Sequence, residues 1–238
     1  MSVVPIIARR ELGSYFCSPI AYVAMSIFLF CTGFYFLDDF QVGHPVGMRS
    51  IFEVMVWLLV FITPLLSMGL LAQEWAAGTI ETLLTAPINE TEVVLGKFLG
   101  SMAFFLVLLA PTLVYVLMLR LYGQPDMGPI LSGYLGIILV GALFIAVGLF
   151  CSATTRSQVI AAAATALILF VVTVVPNIIG TKGTLGSSAQ WVVENAVFRR
   201  YSDFAKGVID FSNIVFFLAG TAVFLFLSIK VIESRRWK

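Results

Sequence analysis

Six long apolar runs, separated by short polar breaks, order the residues of this chain. A helix needs roughly 20 predominantly apolar residues to cross the hydrocarbon core of a bilayer. By that criterion the runs predict spans near residues 20–37, 51–71, 98–121, 130–151, 157–179 and 212–232. Lipid offers backbone N–H and C=O groups no partners, so all six are expected to be α-helices. The narrowest break is Ser152 to Arg156, between the fourth and fifth runs. Its charge and polar neighbours predict a tight turn rather than one overlong helix.

Two segments outside the spans are amphipathic. Around Pro5 to Phe16, residues Val4, Ile7, Ala8, Leu12, Tyr15 and Phe16 share one helical face, and Arg9, Arg10 and Glu11 lie away from it. That pattern suits a helix lying in the inner membrane interface. Between Trp191 and Ile209, apolar Val193, Val197, Tyr201, Phe204 and Val208 recur at spacings of three or four, with Glu194, Arg199, Asp203 and Lys206 between them. This predicts an amphipathic helix on the outer surface, serving as a lid packed on the bundle.

Composition narrows the class. The chain is 60% hydrophobic and 11% charged, with a mean hydropathy of +1.03. A soluble domain carries about 25% charged residues, so too little polar surface exists here to face water. A net charge of +1 gives no broad basic field for nucleic acid. Cys17, Cys31 and Cys151 lie in or beside apolar runs, and His44 stands alone in a Gly/Pro-rich loop, so no metal site is expected. Arg9 and Arg10 before the first run resemble a signal peptide, but the run is too long and Phe34-Tyr35-Phe36 stands where small residues would be needed for cleavage. It reads as a retained first span.

Lysine and arginine set the orientation. With both termini in the cytoplasm, that side holds Arg9, Arg10, Lys97, Arg156, Lys230, Arg235, Arg236 and Lys238, whereas the two short outer loops hold Arg49 and Arg120. The last outer segment adds Lys182, Arg199, Arg200 and Lys206, which weakens the asymmetry.

The connector from Gln73 to Lys97 carries the most information. Ile80, Leu83 and Leu84 fall at i, i+3 and i+4, enough for a short amphipathic helix entered at Gly78 and ended by Pro87. Asn89 followed by Glu92 predicts an N-cap with its third-position carboxylate, opening a new helix. From Glu90 to Leu121 that helix is about 48 Å long, so its first turns should stand clear of the bilayer. Acids at Glu74, Glu81, Glu90 and Glu92 punctuate the segment. The residues alone leave two readings open: an interface-lying connector with solvated acids, or a docking element for a cytoplasmic partner.

The string Glu74-x3-Gly78-Thr79-Ile80-Glu81-x-Leu83-Leu84-x2-Pro87, followed by Gly96-Lys97, resembles the hallmark of ABC type-2 exporter permeases. The resemblance extends over most of the chain. The C-terminal strings Phe204-Ala-Lys-Gly-Val-Ile-Asp210 and Glu233-Ser-Arg-Arg-Trp237 are similar to the gliding-motility-associated branch. The resemblance implies an all-α polytopic membrane protein forming one permease domain over residues 1–238. It would comprise six transmembrane helices, the N-terminal interfacial helix, a cytoplasmic coupling helix at about 74–87 and the outer amphipathic helix. It also implies docking of an ATP-binding cassette subunit on Glu74, Gly78, Thr79, Ile80, Glu81, Leu83, Leu84 and Pro87, with Asn89, Glu92, Gly96 and Lys97 starting the next helix. Further implications are a second permease copy, identical or paralogous, a possible extracytoplasmic auxiliary protein, and a bacterial inner-membrane location. ATP and magnesium would be bound by the partner subunit. A P-loop in this chain fails twice at Gly96-Lys97, since Thr91 replaces the first glycine and Phe98 the hydroxyl residue.

No Asp, Glu, Lys or Arg stands at mid-span; Glu53, near an outer end, comes nearest to a pathway residue and reads as a boundary carboxylate reaching water. A proton relay is therefore poorly supported. Gly96-x3-Gly100 and Ala161 to Ala164 allow close helix approach, within the bundle or at a dimer seam; the intramolecular use is favoured. Pro64, Pro111 and Pro176 can kink their helices. Two other functions compete with ATP-driven export: relay of motion to an extracytoplasmic partner without transport, and a carrier or channel lacking an ATPase.

Overall fold

The computed structural model describes residues 3–39, 47–78, 89–123, 125–180 and 196–236. Helices in chain order are α1 (Val4–Phe16), α2 (Pro19–Asp39), α3 (Arg49–Ser67), α4 (Ala72–Ala77), α5 (Glu90–Leu109), α6 (Leu113–Tyr122), α7 (Met127–Thr154), α8 (Gln158–Gly180), α9 (Val197–Ala205) and α10 (Phe211–Arg236). There is no strand among the described residues. Six helical stretches are long and apolar enough to cross a membrane, so the chain is an all-α polytopic membrane protein.

Two predicted spans differ in detail from the observed helices. The second, expected to run to residue 71, stops at Ser67 and turns before α4. The third is interrupted by a 3-10 turn at Ala110–Thr112, because Pro111 cannot donate to the α-helical ladder. Pro64 and Pro176, by contrast, sit inside continuous helices.

The bundle is built around α7. Its most apolar window is 83% buried, against 17% for α10, so α7 is the axis and α10 an outer helix. Helices α3, α5, α8, α9 and α10 all contact α7. Glycines on α7 leave the notches that let them in: Phe52 fills the space beside Gly133, Phe105 that beside Gly141, and Ser67 that beside Gly148. Several serines and threonines inside the spans return their hydrogens to the preceding turn, as Thr32 does to the Phe28 carbonyl at 2.8 Å and Thr221 to that of Phe217 at 2.8 Å. Large apolar side chains cover the outside, with Phe30 on α2 and Leu167 on α8 among the most exposed, as a helix facing lipid requires.

The sequence of spans puts α1, α4, the start of α5 and the end of α7 at one end of the bundle, the junction end. The starts of α3 and α7 lie with α9 at the opposite end. There α9 forms the described part of the predicted amphipathic helix and packs as a lid, with Val197, Tyr201 and Phe204 almost fully buried. Val193 and Glu194 lie outside the described residues. Gly136 gives Tyr201 and Phe204 their seat, and Ser132 donates to the Phe204 carbonyl at 2.7 Å. On its polar side Arg200 donates to Asn213 at 2.9 Å and lies over the Phe216 ring, while Asn213 donates to Asp203 at 3.1 Å. Glu53 pairs with Arg49 one turn earlier at 3.5 Å, in keeping with a boundary carboxylate.

Candidate functional site

At the junction end the chain must leave the membrane after α3, turn, and re-enter as α5. The turn between α3 and α4 breaks the helical ladder and leaves backbone groups to be satisfied. Ser152, at the end of α7, does this with one hydroxyl. It accepts from the N–H groups of Leu71 and Ala72 at 2.9 Å each and donates to the Met68 carbonyl at 3.0 Å. Gly78 then closes α4 in the left-handed region at φ 70°, the conformation a residue without Cβ adopts most readily. The glycine expected as an entry to a helix is thus the cap of the one before it.

Beyond Gly78 the expected docking residues Thr79, Ile80, Glu81, Leu83, Leu84 and Pro87 lie outside the described residues. On the far side, Asn89 and Glu92 form a capping box at the head of α5, with the Asn89 N–H donating to Glu92 Oε2 at 3.3 Å.

The root of this connector is held by charge. Lys97 Nζ lies 2.9 Å from Glu74 Oε1 and 3.2 Å from Glu11 Oε2. The lysine side chain is 5% exposed and each glutamate 19%. One buried cation therefore ties α1, α4 and α5 together, and two carboxylates offset the cost of withdrawing it from water. Glu74 and Lys97 were both expected near the connector, and the fold brings them into contact.

Glu11 is the residue the sequence placed wrongly. Counting back from Tyr15 gives Glu11, Ala8, Ile7 and Val4 at helical spacing, and that face, not one omitting Glu11, packs on α5. Phe16 is exposed instead, as are Arg9 and Arg10. The contact is possible because α5 presents Gly96 and Gly100. A Cβ on Gly96 would stand 2.7 Å from Ile7, and one on Gly100 2.7 Å from the Glu11 Cβ. The glycine pair is used within the bundle, and it seats α1 rather than another span.

Tyr15 completes the junction. Its hydroxyl donates to the Leu66 carbonyl at 2.8 Å and stands 3.1 Å from Ser101 Oγ, and its ring stacks on Phe104. Burial pushes its phenol well above the ordinary range; the Ser101 hydrogen bond opposes this and the nearby Glu11 adds to it. The phenol therefore stays neutral and acts as a fixed donor to the end of α3. Sequence reasoning missed Glu11 and Tyr15 as members of this site, and also Ser152. The available signal was that Glu11 falls at i+4 from Ile7.

A family model described as ABC-2 family transporter protein matches residues 16–236. The chain belongs to that family. No curated protein matches it. As an ABC-2 protein it is a multi-pass permease subunit of an ABC transporter, in a family of non-catalytic membrane subunits that implies an ATP-binding cassette partner. In this ABC-2 permease the connector between the second and third spans leaves from, and returns to, a junction fastened by Ser152 and by the Glu11–Lys97–Glu74 ion triad.

Proposed function

We propose that this permease moves a substrate outward across a bacterial inner membrane, driven by ATP hydrolysed on a separate subunit that also binds the magnesium. Residues 74–87 are the coupling element: Ile80, Leu83 and Leu84 supply an apolar face, Glu81 an acid, and Glu74 its attachment to Lys97, with Gly78 and Pro87 at its turns. That element must reach the ATPase, so it and both chain termini lie in the cytoplasm. Two permease copies enclose the path, one for each ATPase subunit.

The observation that carries this reading is the ion triad at the root of the connector. A push on residues 79–88 is delivered to Glu74 on one side and to α5 on the other. Lys97 joins both to α1, so the three segments move together. Short, water-poor ion pairs are directional and resist being pulled out of line.

The test is co-purification of the full-length permease with its ATP-binding cassette chain. Leu83→Asp and Glu81→Lys are expected to lower recovery of the ATPase at least about tenfold, the scale of a desolvated interface contact turned repulsive. Retention of the partner by both variants, with the permease still folded, would sink the assignment.

A further inference from the structure

At the end opposite the triad, a cleft of about 300 Å³ opens between the start of α3, the start of α7 and the end of α9. That volume is at the lower bound of small-molecule sites. Its floor is apolar, with Met48, Phe52 and Ile130 each at most 4% exposed. Its rim carries Arg49, Lys206 and Asp126.

The backbone fixes where these charges stand. Lys206 is the C-cap of α9, and the next residue, Gly207, takes φ 90°. The Gly207 N–H bonds to the Phe204 carbonyl and the Val208 N–H to that of Asp203, each at 3.0 Å, closing the helix in a left-handed conformation that glycine adopts most readily. Gly207 lies on Pro129 of α7, so Lys206 is held at the cleft rather than on a loose tail. Asp126 is the N-cap of α7 and spends one oxygen on the Gly128 N–H at 3.1 Å. Arg49 shares its charge with Glu53 on its own helix. Lys206 and Asp126 line the same cleft, yet no ion pair joins them. Among the described residues the cleft thus offers one open cation and one open carboxylate set apart above an apolar floor.

Its surroundings select the ligand's remainder. The cleft lies where two apolar spans, α3 and α7, begin, and the ends of such spans meet the headgroup region of a bilayer. Leu131, next to Ile130 on α7, and Val208, Ile209 and Phe211, which follow Lys206, are between 56% and 76% exposed, leaving apolar surface beside the lining residues. A ligand matching all of this has an anion and a hydrogen-bonding cation in its head and an apolar tail.

We propose that the cleft binds the phosphoethanolamine head of a membrane phospholipid, with Lys206 and Arg49 on the phosphate and Asp126 on the ammonium. The acyl chains run down beside Leu131 and Phe211. The site belongs to the leaflet opposite the ion triad and is separate from the connector.

The experiment titrates the full-length, detergent-purified permease with dihexanoyl phosphatidylethanolamine, dihexanoyl phosphatidylglycerol and soluble phosphoethanolamine, counting bound molecules by native mass spectrometry. The wild type is expected to bind the ethanolamine lipid about tenfold more tightly than the glycerol lipid, the scale of one charge-assisted hydrogen bond. Asp126→Asn, which keeps the N-cap, should erase that preference. Lys206→Gln should weaken both lipids about tenfold, and Lys206→Arg should restore them. Equal binding of the two lipids by the wild type overturns the proposal, as does a preference that survives Asp126→Asn. Unchanged affinity in Lys206→Gln does the same. Soluble phosphoethanolamine binding as tightly as the lipid would replace a lipid site with one for a polar solute.

Discussion

At the junction end α1 lies on α5, and at the opposite end α9 lies on α7; both short helices are seated over glycines, but different forces hold them. Beneath α9 the buried face is Val197, Tyr201 and Phe204, apolar apart from one phenol, and its charged residues Arg200 and Asp203 hydrogen-bond to Asn213. Beneath α1 the buried face includes Glu11, joined through Lys97 to Glu74 on a third segment. Apolar burial is non-directional and scales with area, so it fastens the lid firmly to whatever surface it meets. An ion triad depends on where each partner stands, so it reports the position of one helix to the other two. The lid is an anchor, and the junction is a linkage.

The largest effect should come from the anchor. Phe204→Ala removes a fully buried ring that touches Gly136 and Phe217, and it should cost about 3–5 kcal/mol, read as a lowered unfolding midpoint in detergent. A change below about 1 kcal/mol would mean that the lid does not hold the bundle. Lys97→Met should cost somewhat less, about 2–3 kcal/mol, because the two glutamates it strands are each 19% exposed and can recruit water. The combined Glu11→Gln, Lys97→Met, Glu74→Gln variant removes the stranded charges and should recover most of that loss. If the triad is a linkage, the recovered protein still fails to couple ATP hydrolysis to its permease. If it restores both stability and coupling, the triad is only another anchor.

How much of this could be read from the chain differs between the two ends. Span number and type followed from run length, because lipid admits only helices and closed barrels, and apolar runs of about 20 residues fit helices, not the shorter barrel strands. The lid was legible as well: of its five apolar positions, Val197, Tyr201 and Phe204 keep helical spacing on the buried face of α9, whereas Val208 lies past its end and is 56% exposed. The junction was legible only in part. Glu74 and Lys97 are 23 residues apart and Glu11 lies 86 residues before Lys97, so no periodicity connects them. Glu11 beside Arg9 and Arg10 looked like one more solvated charge, since hydrophobic patterning cannot tell an acid facing water from an acid facing a buried lysine. Ser152 looked like part of a turn, and its service to the backbone of α3 and α4 depends on a packing that only the folded bundle makes.

The same substitution at both ends gives the smallest effect and the cleanest contrast. Tyr15 and Tyr201 are both buried phenols, and burial raises both above their ordinary ionisation range. Tyr15 gives its hydrogen to Leu66, whereas the Tyr201 hydroxyl has no hydrogen-bond partner among the described residues. Tyr15→Phe should therefore cost about 1 kcal/mol, and Tyr201→Phe should be neutral or slightly stabilising, since it removes a desolvated group that gains nothing in return. A raised folded value means the neutral phenol is favoured by folding. Its contribution is complete below the unfolded value of 10.0 and is lost as pH rises through it toward the folded value. Each Phe variant should accordingly flatten the loss of stability measured between about pH 9 and pH 11. Equal costs for the two variants at neutral pH would show that the hydroxyl at the lid end is as well satisfied as that at the junction, and the distinction between anchor and linkage would lose its simplest support.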